Sequence, residues 1–203
     1  MTRLIKLGFA SLSIVLLICT APVAKADTIT FSNLIGANGS PYAGHTEGAF
    51  TVTPTAGNWF EAHAFGNPVP SIFAGPVGSP TTSAIQVITA GLFTFSGVDL
   101  VSQNGNSNYL FQGFVGVSMV FSTGGTITSG AVFNTFNNPF LGTQVDRLVI
   151  QLTPSQGTTS MNVDNITVFG TSAVPEPTTM LLLGTGLLGV AAKVGRRRRV
   201  REE

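Results

Sequence analysis

The chain has 203 residues, of which only 9% are charged, with 24 Gly, 15 Phe and a single Cys. An ordinary soluble protein carries roughly 25% charged residues, so this composition excludes a coiled coil, a basic nucleic-acid binder and a charge-driven disordered chain. Nine of the ten basic residues lie before Asp27 or after Ala173, while the span between holds only Arg147 against six acids, a net charge of −5 that repels phosphate backbones and predicts no nucleic-acid partner.

The first predicted element is a signal helix. Arg3 and Lys6 form a positive start, and Leu7 to Cys19 supply an apolar run of 13 residues. Ala24-Lys25-Ala26 then reads as a small-x-small cleavage site that leaves Asp27 as the new N-terminus. The run is shorter than the roughly 20 residues a membrane-spanning helix needs, which favours a cleaved signal peptide over 1–26 and export through the Sec route. Bulky Ile18 directly before Cys19 argues against a lipoprotein cut, and cleavage at Ala26 removes the only Cys.

The next segment, 27–173, is predicted to be an all-β extracellular domain. Apolar residues alternate at Phe50 and Val52, Ile85 and Val87, Phe93 and Phe95, Leu148, Ile150 and Leu152, and Ile166 and Val168. One long strand is expected to carry Phe111, Val115, Val117, Met119 and Phe121 on one face. Turns are expected at Asn38-Gly39-Ser40-Pro41, Gly75-Pro76, Asn104-Gly105-Asn106, Gly124-Gly125 and Asn137-Asn138-Pro139. Short strands at this spacing, with Phe in or beside them, predict a two-sheet β-sandwich of jelly-roll type.

The last element, 174–203, begins with Val174-Pro175-Glu176-Pro177, where two prolines forbid continuation of strand or helix. An apolar segment from Met180 to Ala192 follows, giving a predicted transmembrane helix over 178–195, and Arg196, Arg197, Arg198 and Arg199 close the chain on the cytoplasmic side. Gly184-Thr185-Gly186-Leu187-Leu188-Gly189 fits a dinucleotide fingerprint by spelling alone, because the chain ends 14 residues later with no βαβ unit around it.

This order of Pro175-Glu176-Pro177, glycine-bearing apolar stretch and Arg cluster resembles the PEP-CTERM protein-sorting signal of Gram-negative bacteria. The same tail is also called an ice-binding-protein C-terminal domain, a label that concerns the tail alone. The resemblance implies a membrane-anchored precursor in the inner membrane, recognised by an exosortase and then released or attached at the cell surface, outer envelope or extracellular space. It also implies a host that makes a biofilm or exopolysaccharide matrix. The stretches His45 to Phe50, Phe93 to Leu100 and Val163 to Val168 resemble PEP-CTERM precursors whose bodies are galactose-binding-like sandwiches.

Candidate chemistry in the body is sparse. His45-x-Glu47 and Glu61-x-His63 each place two possible metal ligands on one strand face, or are simply polar residues of an outer face or loop. Trp59, beside Phe60, is either a platform for a sugar ring or a core residue. Asp164-Asn165 breaks the strand alternation, which predicts a bulge; its oxygens could ligate structural Ca²⁺ with Asp99 or Glu47, or bond the backbone instead. Asp146 and Arg147 form a predicted local ion pair. No cofactor is expected and no nucleophile–base–acid set stands out. A non-enzymatic surface or matrix protein that binds exopolysaccharide is the expected function, with a secreted carbohydrate-active hydrolase or an ice-binding adhesin as the alternative.

Overall fold

The computed structural model describes residues 25–170, so the predicted signal helix, the Pro175-Glu176-Pro177 motif and the predicted transmembrane helix lie outside the described residues. The described residues form eleven strands and no helix: β1 (Lys25–Ile29), β2 (His45–Glu47), β3 (Phe50–Ala56), β4 (Asn58–Ala62), β5 (Ser71–Gly75), β6 (Ser83–Gln103), β7 (Ser107–Val115), β8 (Ser118–Ile127), β9 (Asn134–Asn137), β10 (Gln144–Pro154) and β11 (Ser160–Gly170). All their pairings are antiparallel.

The long strand β6 organises both layers. Its first part, up to Ile88, lies between β3 and β10, and β7 and β8 extend that layer. Phe93 and Thr94 lie between β10 and β11, Gly97 to Leu100 lie between β9 and β11, and β5 and β4 extend the second layer. Ala90, Gly91 and Leu92 at the changeover are exposed, while the alternation resumes on either side. Apolar residues from both layers form one core, including Val52, Ile85, Leu148 and Ile150 from the first and Ile72, Leu100, Met161 and Val163 from the second. Phe95 of the second layer meets Phe111 of the first edge-on, with ring centres 5.1 Å apart. The body is therefore the all-β sandwich that the alternation predicts.

Two local expectations are corrected. The predicted single strand from Phe111 to Phe121 is a hairpin, because Gly116 adopts φ +58° and turns β7 into β8. Phe111 and Phe121 do enter the core, but Val115, Val117 and Met119 crown the turn in solvent. Gly124 and Gly125 form no turn and lie inside β8, where a Cβ on Gly124 would come within 2.6 Å of the Tyr109 carbonyl. Small residues are thus kept there by close packing against β7.

Cleavage after Ala26 would remove Lys25 and Ala26 from β1. The pairs of Asp27, Thr28 and Ile29 with Val168, Thr167 and Ile166 would remain.

Candidate functional site

The outward face of the second layer carries most of the body's polar chemistry. In this layer Trp59, Ile72, Leu100, Met161 and Val163 point into the core, so strand alternation turns Phe60, Phe73, Asp99, Gln103, Ser160, Asn162 and Asp164 the other way. Register aligns Phe60, Phe73, Asn162 and Val101 in one row and Asp164, Asp99 and Thr135 in another. The β4–β5 connection folds over this face.

A clasp holds that connection down. Asp164 accepts the backbone N–H of Asn67 at 2.6 Å and that of Asn165 at 2.8 Å. Asp99 accepts Nδ2 of Asn67 at 3.1 Å, Nδ2 of Asn165 at 2.9 Å and the Thr135 hydroxyl at 2.5 Å. Asn165 also donates to the Asn67 carbonyl. Its φ of +46° marks the bulge that the sequence predicts, with the register shifting between Asp164 and Thr167.

The structure thus brings Asp99, Asp164 and Asn165 together as expected, but around N–H and O–H donors. Those donors occupy all four carboxylate oxygens, and no group of three His, Cys, Asp or Glu that could hold a metal forms among the described residues. The donor set does not fit the predicted Ca²⁺. Burial pushes the Asp164 carboxyl up to about 6; Asp99 adds to the rise and the two backbone donors oppose it.

Glu47 and Trp59 do not join this cluster. Glu47 accepts the N–H groups of Thr30 and Phe31 at 3.1 and 3.0 Å, and its Oε2 lies 3.4 Å from His45 Nε2. Glu61 accepts Gly36 N–H at 2.9 Å and lies 2.8 Å from His63 Nε2. Each His–Glu pair therefore fastens the long β1–β2 connection, and the two do not combine as metal ligands. Tyr42 Oη lies 2.8 Å from His45 Nδ1. Burial pushes the Tyr42 hydroxyl above its ordinary value, with the Glu61 charge second, and lowers the His45 imidazole against the opposing pull of Glu47.

Trp59 is 3% exposed and donates from Nε1 to the Ala56 carbonyl at 3.1 Å, so its ring offers no sugar platform. The predicted Asp146–Arg147 ion pair is also replaced. Neighbours on a strand point to opposite faces, and Asp146 instead accepts Gly116 N–H at 2.6 Å while Arg147 lies 4.1 Å above the Phe114 ring.

Beside the clasp lies a cavity of about 150 Å³. Phe65 and Phe73 supply its aromatic wall, and Asn38, Gln103, Ser160 and Asn162 its polar groups. Phe65 stacks on Phe133 at 5.1 Å and Phe73 on Phe60 at 5.5 Å, which fixes both rings. The Gln103 carboxamide bonds to no described residue, and Asn162 accepts from Ser160 Oγ at 2.7 Å with its carbonyl. No charged side chain lines the cavity. Its size is below the roughly 300 Å³ of pockets that enclose drug-sized ligands, so it suits one ring or the end of a chain. Sequence reading missed it because its residues come from separate segments with no shared spacing.

The geometry defines an all-β sandwich that bears a small, uncharged, amide- and aromatic-lined cavity among the described residues. The tail identifies the chain more narrowly: residues 173–199 match the family model of the PEP-CTERM protein-sorting motif. The chain carries that motif, which belongs to exported, membrane-anchored precursors. No curated protein matches the chain. Among solved structures, it is similar to a family 29 carbohydrate-binding module from Piromyces equi, at 12% identity over 73% of this chain and 91% of that one, with a TM-score of 0.43. It is also similar to a DUF4465 family protein from Bacteroides ovatus, at 9% identity over 73% and 100%, with a TM-score of 0.42. A third is the family 11 carbohydrate-binding module of a cellulosomal cellulase from Clostridium thermocellum, at 12% identity over 76% and 100%, with a TM-score of 0.38.

Proposed function

We propose that this chain is an exported, non-enzymatic envelope protein, sorted through its C-terminal tail by an exosortase, whose sandwich binds a neutral glycan of the surrounding exopolysaccharide. The observation that carries the sorting half is the family match over 173–199, with Pro175-Glu176-Pro177 preceding an apolar stretch and Arg196 to Arg199. The signal peptide directs export and is cut after Ala26, which leaves the body outside the membrane.

The binding half rests on the Phe65–Phe73 cavity. Apolar sugar faces pack against aromatic rings, while hydroxyl groups exchange hydrogen bonds with amides and Ser. An uncharged lining in a body of net charge −5 disfavours an anionic sugar and suits a neutral one. The clasp of Asp99, Asp164 and Asn165 with Asn67 would hold Phe65 over the cavity without touching ligand. A glycan array probed with the body, beside Phe65→Ala and Asn162→Ala variants, tests this reading. Retained signal for neutral oligosaccharides that both substitutions abolish supports it; no binding, or binding indifferent to both, refutes it.

A further inference from the structure

Several strand ends converge on one stretch of β6. Phe93 pairs with Gly170 at the end of β11 and with Val145 at the start of β10. The start of β10 continues sideways through Arg147 and Phe114 to Met119, next to the β7–β8 turn. The chain therefore leaves the sandwich at the rim that carries this hairpin tip.

That rim is unusually apolar. Val117 is 97% exposed, Leu141 58%, Met119 54%, Phe140 43%, Val120 42% and Val115 41%. The Phe140 ring stacks on Phe121 at 5.7 Å, joining the β9–β10 loop to the hairpin in one patch. Residues 100–145 contain no Lys, Arg, Asp or Glu, although the body as a whole carries −5. Arg147, the sole cation in 27–173, sits at this rim above Phe114, and Asp146, bonded to the Gly116 N–H of the turn, is its counter-charge. A contiguous exposed apolar patch marks an interaction surface, and with Arg147 offsetting Asp146 this rim adds no net charge to a body that carries −5.

The length of chain beyond the sandwich indicates what covers the patch. Met180, where the apolar stretch of the sorting tail begins, lies ten residues beyond Gly170. Ten residues reach at most about 35 Å. The hairpin lies four strand spacings from β11, about 19 Å at about 4.8 Å each. A body tethered by that length remains within reach of the bilayer that receives the tail.

We propose that the β7–β8 hairpin tip and the Phe140–Leu141 loop dock into the headgroup region of that bilayer and hold the body on the membrane until the tail is processed. Apolar side chains with a polar surround bury at the boundary between headgroups and acyl chains in this manner. The inference rests on the tail acting as a membrane anchor, and its test separates the two.

The chain from Asp27 to Glu203, which contains no Cys, receives one Cys at Val117 or at exposed Ser155 in the β10–β11 turn, each labelled with an environment-sensitive fluorophore. It is reconstituted into phosphatidylethanolamine–phosphatidylglycerol vesicles bearing a lipid-attached quencher. Salt-resistant flotation reports the anchor, and quenching reports docking. The expected result is several-fold stronger quenching at 117 than at 155, returned to the 155 level by Met119→Asp with Leu141→Asp. Flotation with equal quenching at both sites overturns docking and leaves the anchor standing; failure to float overturns both. Shielding of the 117 label that disappears when protein is diluted at constant lipid would assign the patch to a second copy of the chain, and also overturns the proposal.

Discussion

Replacing Asp164 with Asn should remove a pH dependence of stability that runs opposite to that of an ordinary paired carboxylate. Asp164 is fully buried, and burial raises its carboxyl from 3.8 to about 6. The folded state therefore holds the proton more tightly than the unfolded chain does. The stabilisation linked to this proton is complete below pH 3.8 and is lost as pH rises through about 6. A difference of about two pH units corresponds to about 3 kcal/mol at about 1.4 kcal/mol each. The Asn variant lacks this titration and carries a constant penalty of about 1–3 kcal/mol, since its amide confronts the Asn67 or Asn165 N–H. His45, whose lowered pKa makes stability fall as pH drops through its ordinary range, is present in both proteins and cancels in their difference. Urea unfolding of residues 27–173 at several pH values between 4 and 7 measures that difference. The advantage of the native protein over Asp164→Asn should shrink by up to about 3 kcal/mol across this range. Parallel pH profiles would refute the assignment of Asp164 as a buried carboxyl that gains its proton on folding.

Other perturbations test packing and sorting. A Cβ at Gly113 would lie 2.1 Å from the Phe121 ring and 2.6 Å from Val145, so Gly113→Ala should lower the urea midpoint by the equivalent of about 1–3 kcal/mol without changing the slope. Phe95 is fully buried edge-on to Phe111, and Phe95→Ala should cost about 3–5 kcal/mol in the same assay. In a host with an exosortase, Glu176→Ala or deletion of Arg196 to Arg199 should leave full-length precursor in the membrane fraction on immunoblots, whereas a plain single-span anchor would be indifferent to Glu176.

The strands were legible wherever one face meets the core and the other meets solvent, as in Leu148, Ile150 and Leu152. The same rule failed at Val115, Val117 and Met119. There apolar residues continue the alternation across a turn that depends on the left-handed backbone of Gly116, and they stay exposed. The bulge at Asp164-Asn165 was visible because it breaks the alternation locally. Its partner Asn67 was not, since 97 residues separate it from Asp164 and no periodicity links a loop amide to a distant strand. Trp59 presented two readings from sequence, and only its inward place on β4 decides between them. The cavity was illegible for a related reason: Asn38, Phe65, Gln103 and Asn162 become neighbours only after the layers assemble.

An exported body delivered by a tail that is read and removed leaves a mature protein trimmed at both ends. Intact-mass spectrometry of the native protein, recovered from a host with an exosortase, tests this most directly. The predicted species begins at Asp27 and lacks the apolar stretch and Arg cluster that follow Pro175-Glu176-Pro177. A mature protein that begins at Met1, or that retains its C-terminus through Glu203, would contradict it.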